Sequence, residues 1–309
     1  MLVVKFGGSS VDTAERILAS ARVVAEHQRQ TKVVAVISAM AGVTDALIQV
    51  ANAALEGYHF WRDDLAKIEQ RHRQAYLYIL GHMPEPFSQA WASVEAAVLA
   101  LAECAHSREN AAWHIRHFSG WGERLIVDLF AAGLEKEGVQ AERFAREPVL
   151  LASRNEEAEP SVLATRAWLL PQLAGALARH VVPVLPGYIA LDAAGEPTTL
   201  GRNGSDHSAA IVAAALGAQA LYIYSDVAGV YTADPRLVAD AQLLPRLSYN
   251  EVAAIAAAGA RVLHPRAVEP LARWGIPLYL RSSFAPAAPG TDIVPLSDED
   301  RCISAVLPC

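Results

Sequence analysis

Cysteine is scarce in this sequence of 309 residues, which contains only Cys104, Cys302 and Cys309. An odd number of cysteines without zinc-like spacing argues against a disulfide framework and a zinc site, and it fits a reducing cytoplasm. Positive charge is scarce as well, because 26 lysines and arginines stand against 33 acidic residues and give a formal net charge of −7. That balance predicts no nucleic-acid partner, since nucleic-acid-binding proteins carry a basic surface.

Long apolar runs are also missing. The alanine-rich stretch at residues 252–260 is too short and too interrupted to cross a bilayer. The N-terminus starts directly with Leu2, Val3 and Val4, without the basic region and long apolar stretch of a signal peptide. Hydrophobic residues make up 53% of the chain and charged residues 19%, which is typical of a folded protein with a large core. We therefore expect a soluble cytoplasmic protein without a membrane partner.

What is present is an alternation of short β-branched runs with longer amphipathic segments. The spacing predicts strands at 2–6 and 32–38 with helices at 13–26 and 44–55. This β-α-β-α opening indicates a largely parallel sheet covered on both faces. A run of helices is expected from about 61 to 132, where the aromatic residues fit helix packing better than a ligand surface. The later predicted elements are strands at 181–185 and 187–192, a hairpin reaching 198–200, a helix at 205–216 and a strand at 220–225.

The first motif with chemical meaning is KFGGSS at residues 5–10, at the end of a predicted buried strand. Glycines let backbone N–H groups approach an anion, the next helix N-terminus adds positive potential, and the lysine adds a full charge. The motif is not a Walker P-loop, in which the lysine follows the glycines. By itself it fits a phosphate site and a tight turn with a solvated lysine about equally well.

A second segment, SAMAGVTD at residues 38–45, places small residues and hydroxyls after the next predicted strand. Ligands of open α/β sheets bind at the carboxyl ends of the strands, so Ser38 and Thr44 are candidate contacts. The alternative is that Thr44 caps the following helix, a role that is compatible with ligand contact.

Two further segments carry charged residues in glycine-containing loops. In GRNGSD at residues 201–206, Arg202 can clamp a carboxylate with both arms of its guanidinium, although a simple loop with a helix cap is the commoner meaning. In YSDVAGVYTADPR at residues 224–236, Asp226 follows a predicted strand. It suits a ribose or magnesium contact, and a turn-forming aspartate is the alternative.

Five strings occur together in the order known from one family: KFGGSSV, SAMAGVTD, GRNGSDHSAA, YSDVAGVYTADPR and GARVLHPR. The chain resembles the aspartate kinases of the amino-acid-kinase superfamily, and the resemblance extends to about residue 291. The resemblance implies a kinase that uses ATP to convert L-aspartate to 4-phospho-L-aspartate. It also implies that Mg²⁺ is held mainly by the nucleotide phosphates, without a metal site made by the protein.

On the nucleotide side, the resemblance assigns Lys5 to the ATP phosphates and to the transferring phosphoryl group. The other expected nucleotide contacts are Gly7, Gly8, Ser9, Ser225, Asp226, Tyr231, Arg236 and Arg261. The family commonly has a lysine at the position of Arg261, whose planar guanidinium is larger and differently hydrated than an ammonium. We expect activity to be retained there, with an altered nucleotide affinity or rate.

On the substrate side, the resemblance assigns Arg202 to the α-carboxylate and Glu123, in SGWGERL, to the α-amino group. The family usually shows a different residue before that glycine, so a surface glutamate is the alternative at position 123. The remaining expected substrate contacts are Ser38, Thr44 and Ser205. Asp206, which completes the catalytic set with Lys5 and Arg261, is expected to hold cationic groups. It need not act as a base, because a carboxylate nucleophile is already deprotonated at neutral pH.

The predicted architecture is a three-layer αβα sandwich with a mainly parallel sheet. One catalytic domain is expected at 1–292, with a substrate lobe to about 200, a nucleotide lobe from about 201 and a tail at 293–309. Aspartate kinases usually carry C-terminal ACT domains that bind lysine or threonine, and this sequence ends about where those would begin. It is either a kinase-only form or a shortened chain, and these 309 residues are expected to resist both inhibitors. Family members commonly dimerise, which makes a homodimer an expectation. The alternatives are a kinase of the same fold for another amino acid or carboxylate, and a nucleotide-binding subunit without activity.

Overall fold

The computed structural model describes residues 1–104, 111–144, 150–152, 160–192, 194–201, 203–235, 237–238, 240–257, 263 and 265–295. Strands and helices alternate at the start of the chain, and five described helices follow one another between the second and third strands. The strands are β1 (Leu2–Phe6), β2 (Val33–Ile37), β3 (Ala141–Arg143), β4 (Val182–Pro186), β5 (Ile189–Leu191), β6 (Pro197–Thr199), β7 (Ala220–Ser225), β8 (Arg246–Ser248), β9 (Leu278–Ser282) and β10 (Thr291–Val294). The helices are α1 (Ala14–Gln28), α2 (Val43–Leu55), α3 (Trp61–Leu80), α4 (Glu85–Glu103), α5 (Ala111–Ser119), α6 (Trp121–Lys136), α7 (Val162–Ala178), α8 (Gly204–Leu216), α9 (Tyr249–Ala257) and α10 (Pro265–Trp274).

Eight of the strands form one sheet in the order β3-β4-β2-β1-β7-β9-β10-β8. The first six are parallel to one another, whereas β10 runs antiparallel to β9 and pairs in parallel with β8. Every residue of β2 is buried, as expected of a parallel strand that is covered on both faces. Strands β5 and β6 form a separate antiparallel hairpin. The predicted mainly parallel sheet and the predicted hairpin are both confirmed.

Two hydrophobic cores lie on opposite faces of the sheet. Val4 and Phe6 of β1 belong to the core that α1, α2, α3, α4 and α6 cover. Val3, on the other face, belongs to the core that α7, α8, α9 and α10 cover. This alternation along β1 follows the two-residue period of a strand and confirms the three-layer αβα architecture. Strand β1 pairs with both β2 and β7, so the sheet continues across the boundary proposed at about residue 200, and the division into lobes stays a prediction.

The start of α2 shows that the capping hypothesis for Thr44 is wrong. Gly42 occupies the N-cap position with a φ of 75°, and the helix begins at Val43, so Thr44 lies within its first turn. A left-handed backbone at this position favours glycine, which accounts for the glycine in SAMAGVTD. At α1, by contrast, the side-chain oxygen of Thr13 accepts a hydrogen bond from the Arg16 amide at 3.4 Å and caps the helix.

Helices α3 and α4 each pack against α2 and α6. They span 20 and 19 residues and bury apolar side chains along one face each. This confirms the run of helices predicted between about 61 and 132. Among the described helices, none is long and apolar enough to cross a membrane.

Helix α3 also buries a histidine. His72 is inaccessible to solvent, and its Nδ1 donates a hydrogen bond to the carbonyl of Ile68 at 2.8 Å. Its Nε2 has no hydrogen-bond partner within the described part of the chain. Burial lowers the pKa of His72 from 6.5 to about 4; the bond to Ile68 opposes that shift, and the charge of Arg71 adds to it. The ring is therefore neutral in the folded protein at pH 7.

The buried histidine predicts a loss of stability in acid. Between pH 6.5 and pH 4, His72 is protonated in the unfolded chain but stays neutral in the folded one. The free energy of unfolding therefore falls as the pH drops from 6.5 towards 4. Replacing His72 with leucine removes this loss, and the variant should gain about 3 kcal/mol relative to the original chain between pH 7 and pH 4. Urea unfolding at several pH values measures the difference, with the exposed His82→Leu as the control. A stability difference that does not change with pH contradicts the prediction.

Candidate active site

Four loops meet at the carboxyl edge of the parallel strands. They are the glycine loop (residues 7–10) after β1, the substrate loop (38–42) after β2, and the segments 187–188 and 225–226 after β4 and β7. Main-chain hydrogen bonds tie the loops to neighbouring strands, as from Gly7 N to Tyr224 O at 3.1 Å and from Gly187 N to Ile37 O at 2.9 Å. Ligands of open α/β sheets bind at this edge, so the candidate residues fall where chemistry is expected.

Lys5 is placed at this edge by β1 and is only 6% exposed. Its Nζ lies 2.5 Å from Oδ1 of Asp206, which is in the first turn of α8. A buried ammonium needs such a counter-charge, because desolvation of an unpaired charge is costly. The alternative of a solvated Lys5 is therefore wrong. Asp206 contacts a cation, and its role in catalysis stays a prediction.

The glycine loop and the substrate loop are in direct contact. A Cβ atom at Gly8 would lie 2.9 Å from the carbonyl oxygen of Ala39 and 3.2 Å from the Cα of Ala41. No side chain fits there without moving main-chain atoms, so the second glycine of KFGGSS is required by this close approach. The two loops can therefore lie side by side, with their backbone N–H groups near the same edge of the sheet.

Two residues outside the predicted set support the glycine loop. The guanidinium of Arg16, on α1, donates to the carbonyl of Ser9 at 2.7 Å and lies 4.2 Å from the ring centre of Phe284. Ser10 shares a hydrogen bond of 2.8 Å with Ser283, the residue that follows β9. These contacts could not be predicted from the sequence, because each joins segments that only the fold brings together.

Glu123 lies in the first turn of α6 and is only 3% exposed, so the alternative of a surface glutamate is wrong. Its Oε1 accepts a hydrogen bond from the Ala39 amide of the substrate loop at 3.4 Å. Its Oε2 is buried without a hydrogen-bond partner among the described residues. A buried carboxyl oxygen in that state is free to accept a hydrogen bond from a donor on a ligand.

The electrostatic environment of Glu123 favours its neutral form. Burial raises the pKa of Glu123 from 4.5 to about 8. Hydrogen bonds from the amides of Ala39 and Glu123 itself act against this shift, as do the charges of Arg124 and Lys5. Lys5 of β1 is thus near enough to Glu123 for its charge to favour the ionised form of this carboxyl.

The other predicted substrate contacts lie near the same edge. Ser38 follows β2 and its amide donates to the carbonyl of Phe6 at 3.1 Å. Thr44 is half-buried in the first turn of α2, and Ser205 is buried in the first turn of α8. Their roles as substrate contacts stay predictions.

On the nucleotide side, Ser225 ends β7 and its Oγ donates to the carbonyl of Val227 at 3.1 Å. Asp226 is exposed, as a ribose or metal contact must be before a ligand binds. Tyr231 is half-buried and forms an antiparallel bridge with Leu243. The segment after β7 thus presents hydroxyl and carboxylate groups next to the glycine loop.

Three predicted arginines, Arg202, Arg236 and Arg261, lie outside the described residues. Their assignments to the substrate carboxylate and to the nucleotide stay predictions. Within the described ranges, no group of three or more histidine, cysteine, aspartate or glutamate side chains is arranged to hold a metal ion.

The fold, the buried Lys5 at the end of β1 and the buried carboxyl of Glu123 together define a class of protein. The model of the amino acid kinase family matches residues 1–282, and the chain belongs to that family.

Within this family, the chain is similar to aspartokinases, which confirms the resemblance drawn from the five motifs. It is 30% identical to the aspartokinase of Rickettsia felis, over 94% of this chain and 60% of that protein. It is 33% identical to the bifunctional aspartokinase/homoserine dehydrogenase of Haemophilus influenzae, over 95% of this chain and 36% of that protein. Escherichia coli aspartokinase III, solved in complex with aspartate and ADP, matches with a TM-score of 0.85 and 31% identity, over 96% of this chain and 65% of that one. The chain thus spans about 60% or less of the length of these two curated relatives.

Proposed function

We propose that the chain is an aspartate kinase, which transfers the γ-phosphate of ATP to the side-chain carboxylate of L-aspartate. The products are ADP and 4-phospho-L-aspartate, the first intermediate on the way to lysine, threonine and methionine. The observation that carries the proposal is the joint placement of Lys5 and Glu123 around two touching loops. One group suits a phosphate and the other suits an ammonium, which is the pairing that a kinase for a free amino acid needs.

In the proposed reaction an aspartate carboxylate oxygen attacks the γ-phosphorus, and the bond to the β,γ-bridging oxygen breaks as ADP leaves. The nucleophile is an anion at neutral pH, so no base is required. Catalysis then consists of bringing two anions into line and offsetting their charge. Lys5 supplies charge at the transferring group, and Asp206 fixes the position of its ammonium.

Substrate recognition is assigned to groups on both sides of the substrate loop. Glu123 binds the α-ammonium in its ionised form, and Arg202 binds the α-carboxylate with both arms of its guanidinium. The hydroxyls of Ser38, Thr44 and Ser205 line the space for the side chain. This arrangement favours a free α-amino acid over an N-acylated one, because acylation removes the ammonium that Glu123 would bind.

MgATP is the proposed second substrate, with the ion bound chiefly by the phosphate oxygens. Backbone N–H groups of Gly7, Gly8 and Ser9 would contact the phosphates. The remaining proposed nucleotide contacts are Ser225, Asp226, Tyr231, Arg236 and Arg261. The ion brings charge neutralisation at the phosphates, and the chain contributes the amides and the Lys5 ammonium beside them.

The compartment and the assembly stay proposals as well. A cytoplasmic enzyme fits the absence of any disulfide pattern in the three cysteines of the sequence. A homodimer is proposed because aspartate kinases commonly dimerise. Analytical ultracentrifugation of the purified chain would test it.

A substrate panel tests the proposed function. Acyl phosphates react with hydroxylamine, so hydroxamate formation is measured with ATP, Mg²⁺ and either aspartate, glutamate or N-acetylglutamate. We expect hydroxamate with aspartate and at most a few per cent of that rate with the other acids. ADP release without hydroxamate, or preference for another acid, would overturn the proposal.

A further inference from the structure

The guanidinium of Arg71 connects two loops of the candidate active site. From the middle of α3, its Nη1 donates to the carbonyl of Ala41 at 2.9 Å and its Nη2 donates to Oδ1 of Asp12 at 2.6 Å. Ala41 belongs to the substrate loop, and Asp12 lies two residues beyond the glycine loop. One rigid, planar group therefore holds both loops at once, which a flexible single-point cation does not do.

The same loops also lie close together at Gly8, where a Cβ atom would be only 2.9 Å from the carbonyl oxygen of Ala39. Gly8, which lacks a side chain, permits this close approach, and the two hydrogen bonds of the Arg71 guanidinium oppose separation of the loops. The Ala39 amide in turn contacts Glu123, so a shift of the substrate loop changes the group assigned to the substrate ammonium. The distance between the two loops therefore depends on the close approach at Gly8 and on the hydrogen bonds of Arg71.

We propose that Arg71 is a positioning residue, which sets the distance between the phosphate groups and the substrate carboxylate by holding the two loops together. This inference rests on the proposed kinase function, because it assigns one substrate to each loop. In-line phosphoryl transfer depends on the alignment of two anions, and a misplacement of about 1 Å can cost about 100-fold in rate. The proposal assigns Arg71 no contact with either substrate.

The exposure of the ion pair separates this role from a structural one. The side chains of Arg71 and Asp12 are 38% and 35% exposed, and ion pairs of that kind contribute little to stability. Arg71 also borders a cavity of about 330 Å³, so methionine fits in its place without a clash. Replacing Arg71 with methionine should therefore lower the melting temperature by about 3 °C or less.

The test compares Arg71→Met with Arg73→Met. Arg73 lies two residues away on the same helix and forms an exposed pair with Glu69, remote from both loops. We expect Arg71→Met to lower kcat by about 10- to 100-fold with KM values for ATP and aspartate within about threefold of the original. Arg73→Met should leave all three constants unchanged. An unchanged kcat in Arg71→Met, or an equal fall in Arg73→Met, overturns the proposal.

Two further variants test whether the two hydrogen bonds of the Arg71 guanidinium are needed together. Asp12→Ala removes one of the two contacts, and combining it with Arg71→Met should add little to the loss from Arg71→Met alone. Arg71→Lys keeps the charge but cannot bridge both acceptors with a planar group, so its kcat should be intermediate. Full activity in Arg71→Lys, or additive losses in the double variant, shows that two-loop bridging is not the role of Arg71.

Hydrogen exchange provides a measurement that does not depend on kinase activity. Amides of residues 7–12 and 38–43 should exchange faster in Arg71→Met than in Arg73→Met, while the amides of β1 and β2 stay unchanged. If the original chain fails to phosphorylate aspartate, the proposed function fails and the exchange comparison alone decides whether Arg71 holds the loops. Equal exchange in both variants overturns the inference even if the chain is an active kinase.

Discussion

Replacing Lys5 with methionine is expected to lower kcat for aspartate phosphorylation by at least about 10²–10³-fold, the usual cost of losing one preorganised group that faces developing charge. Methionine keeps the length of the apolar stem and removes only the ammonium. Binding of ATP should weaken less than turnover falls, because the backbone N–H groups of the glycine loop remain. A coupled assay of ADP release, with the hydroxamate assay as a second readout, measures both constants.

The main risk in this experiment is unfolding, because the substitution leaves the largely buried Asp206 without its cation. A double variant, Lys5→Met with Asp206→Asn, removes both charges and should restore stability without restoring activity. Lys67→Met, at an exposed pair with Asp64 on α3, serves as the control. Turnover within about tenfold of the original in Lys5→Met would contradict the assignment of Lys5 to the transferring group.

Replacing Glu123 with glutamine is expected to raise the KM for aspartate by about 30-fold or more at pH 8, because a buried partner for the ammonium is lost. The pH dependence should change as well. In the original chain the pKa of Glu123 is raised to about 8 by burial, so the ionised form that binds the ammonium grows as the pH rises from 6 to 8. The affinity for aspartate should rise over this interval, whereas that of the glutamine variant should stay nearly constant.

Glu123→Gln is expected to weaken aspartate binding but to increase the stability of the ligand-free chain. Folded Glu123 keeps its proton up to about pH 8, whereas an unfolded glutamate loses it near pH 4.5, so the free energy of unfolding falls as the pH rises between these values. Glutamine removes that loss, and the ligand-free variant should be more stable than the original by about 4 kcal/mol at pH 8. Urea unfolding at pH 5 and pH 8 measures the change.

Glu135→Gln is the control for both measurements, since Glu135 lies on the same helix in an exposed pair with Arg143. Its KM for aspartate should match that of the original chain. A Glu123→Gln variant with unchanged KM would remove Glu123 from the substrate site. A variant that is destabilised equally at pH 5 and pH 8 would show that the carboxyl is ionised in the folded chain.

The sequence predicted the first half of the fold well because local patterns and neighbouring strands agree there. Buried runs such as VVAVI in β2 are long enough to be recognised, and Thr13 marks the start of α1. The end of the sheet was not predicted, because β8 and β10 are short and their direction is a property of the topology. Helices α7, α9 and α10 were not predicted either; α7 and α10 contain an internal proline, which obscures helical periodicity.

The candidate site was predicted as a set of residues but not as an arrangement. The motifs identified Lys5, Asp206 and Glu123, and the fold brings Lys5 against Asp206 and within electrostatic reach of Glu123. The supporting contacts of Arg16 and Arg71 had no sequence signal, because both donate to main-chain carbonyls whose positions depend on the whole fold. The protonation of Glu123 was equally hidden, since it follows from burial rather than from residue type.

The continuous pairing of β2, β1 and β7 has a mechanical consequence. A sheet whose central strand is hydrogen-bonded on both sides is stiff, so it provides no hinge between the strands that carry the two proposed substrate regions. Any closure around the proposed substrates would then involve segments above the sheet edge, while Lys5 stays fixed on β1. The two proposed substrate regions would therefore not close over the substrates by rotating as rigid halves about the sheet.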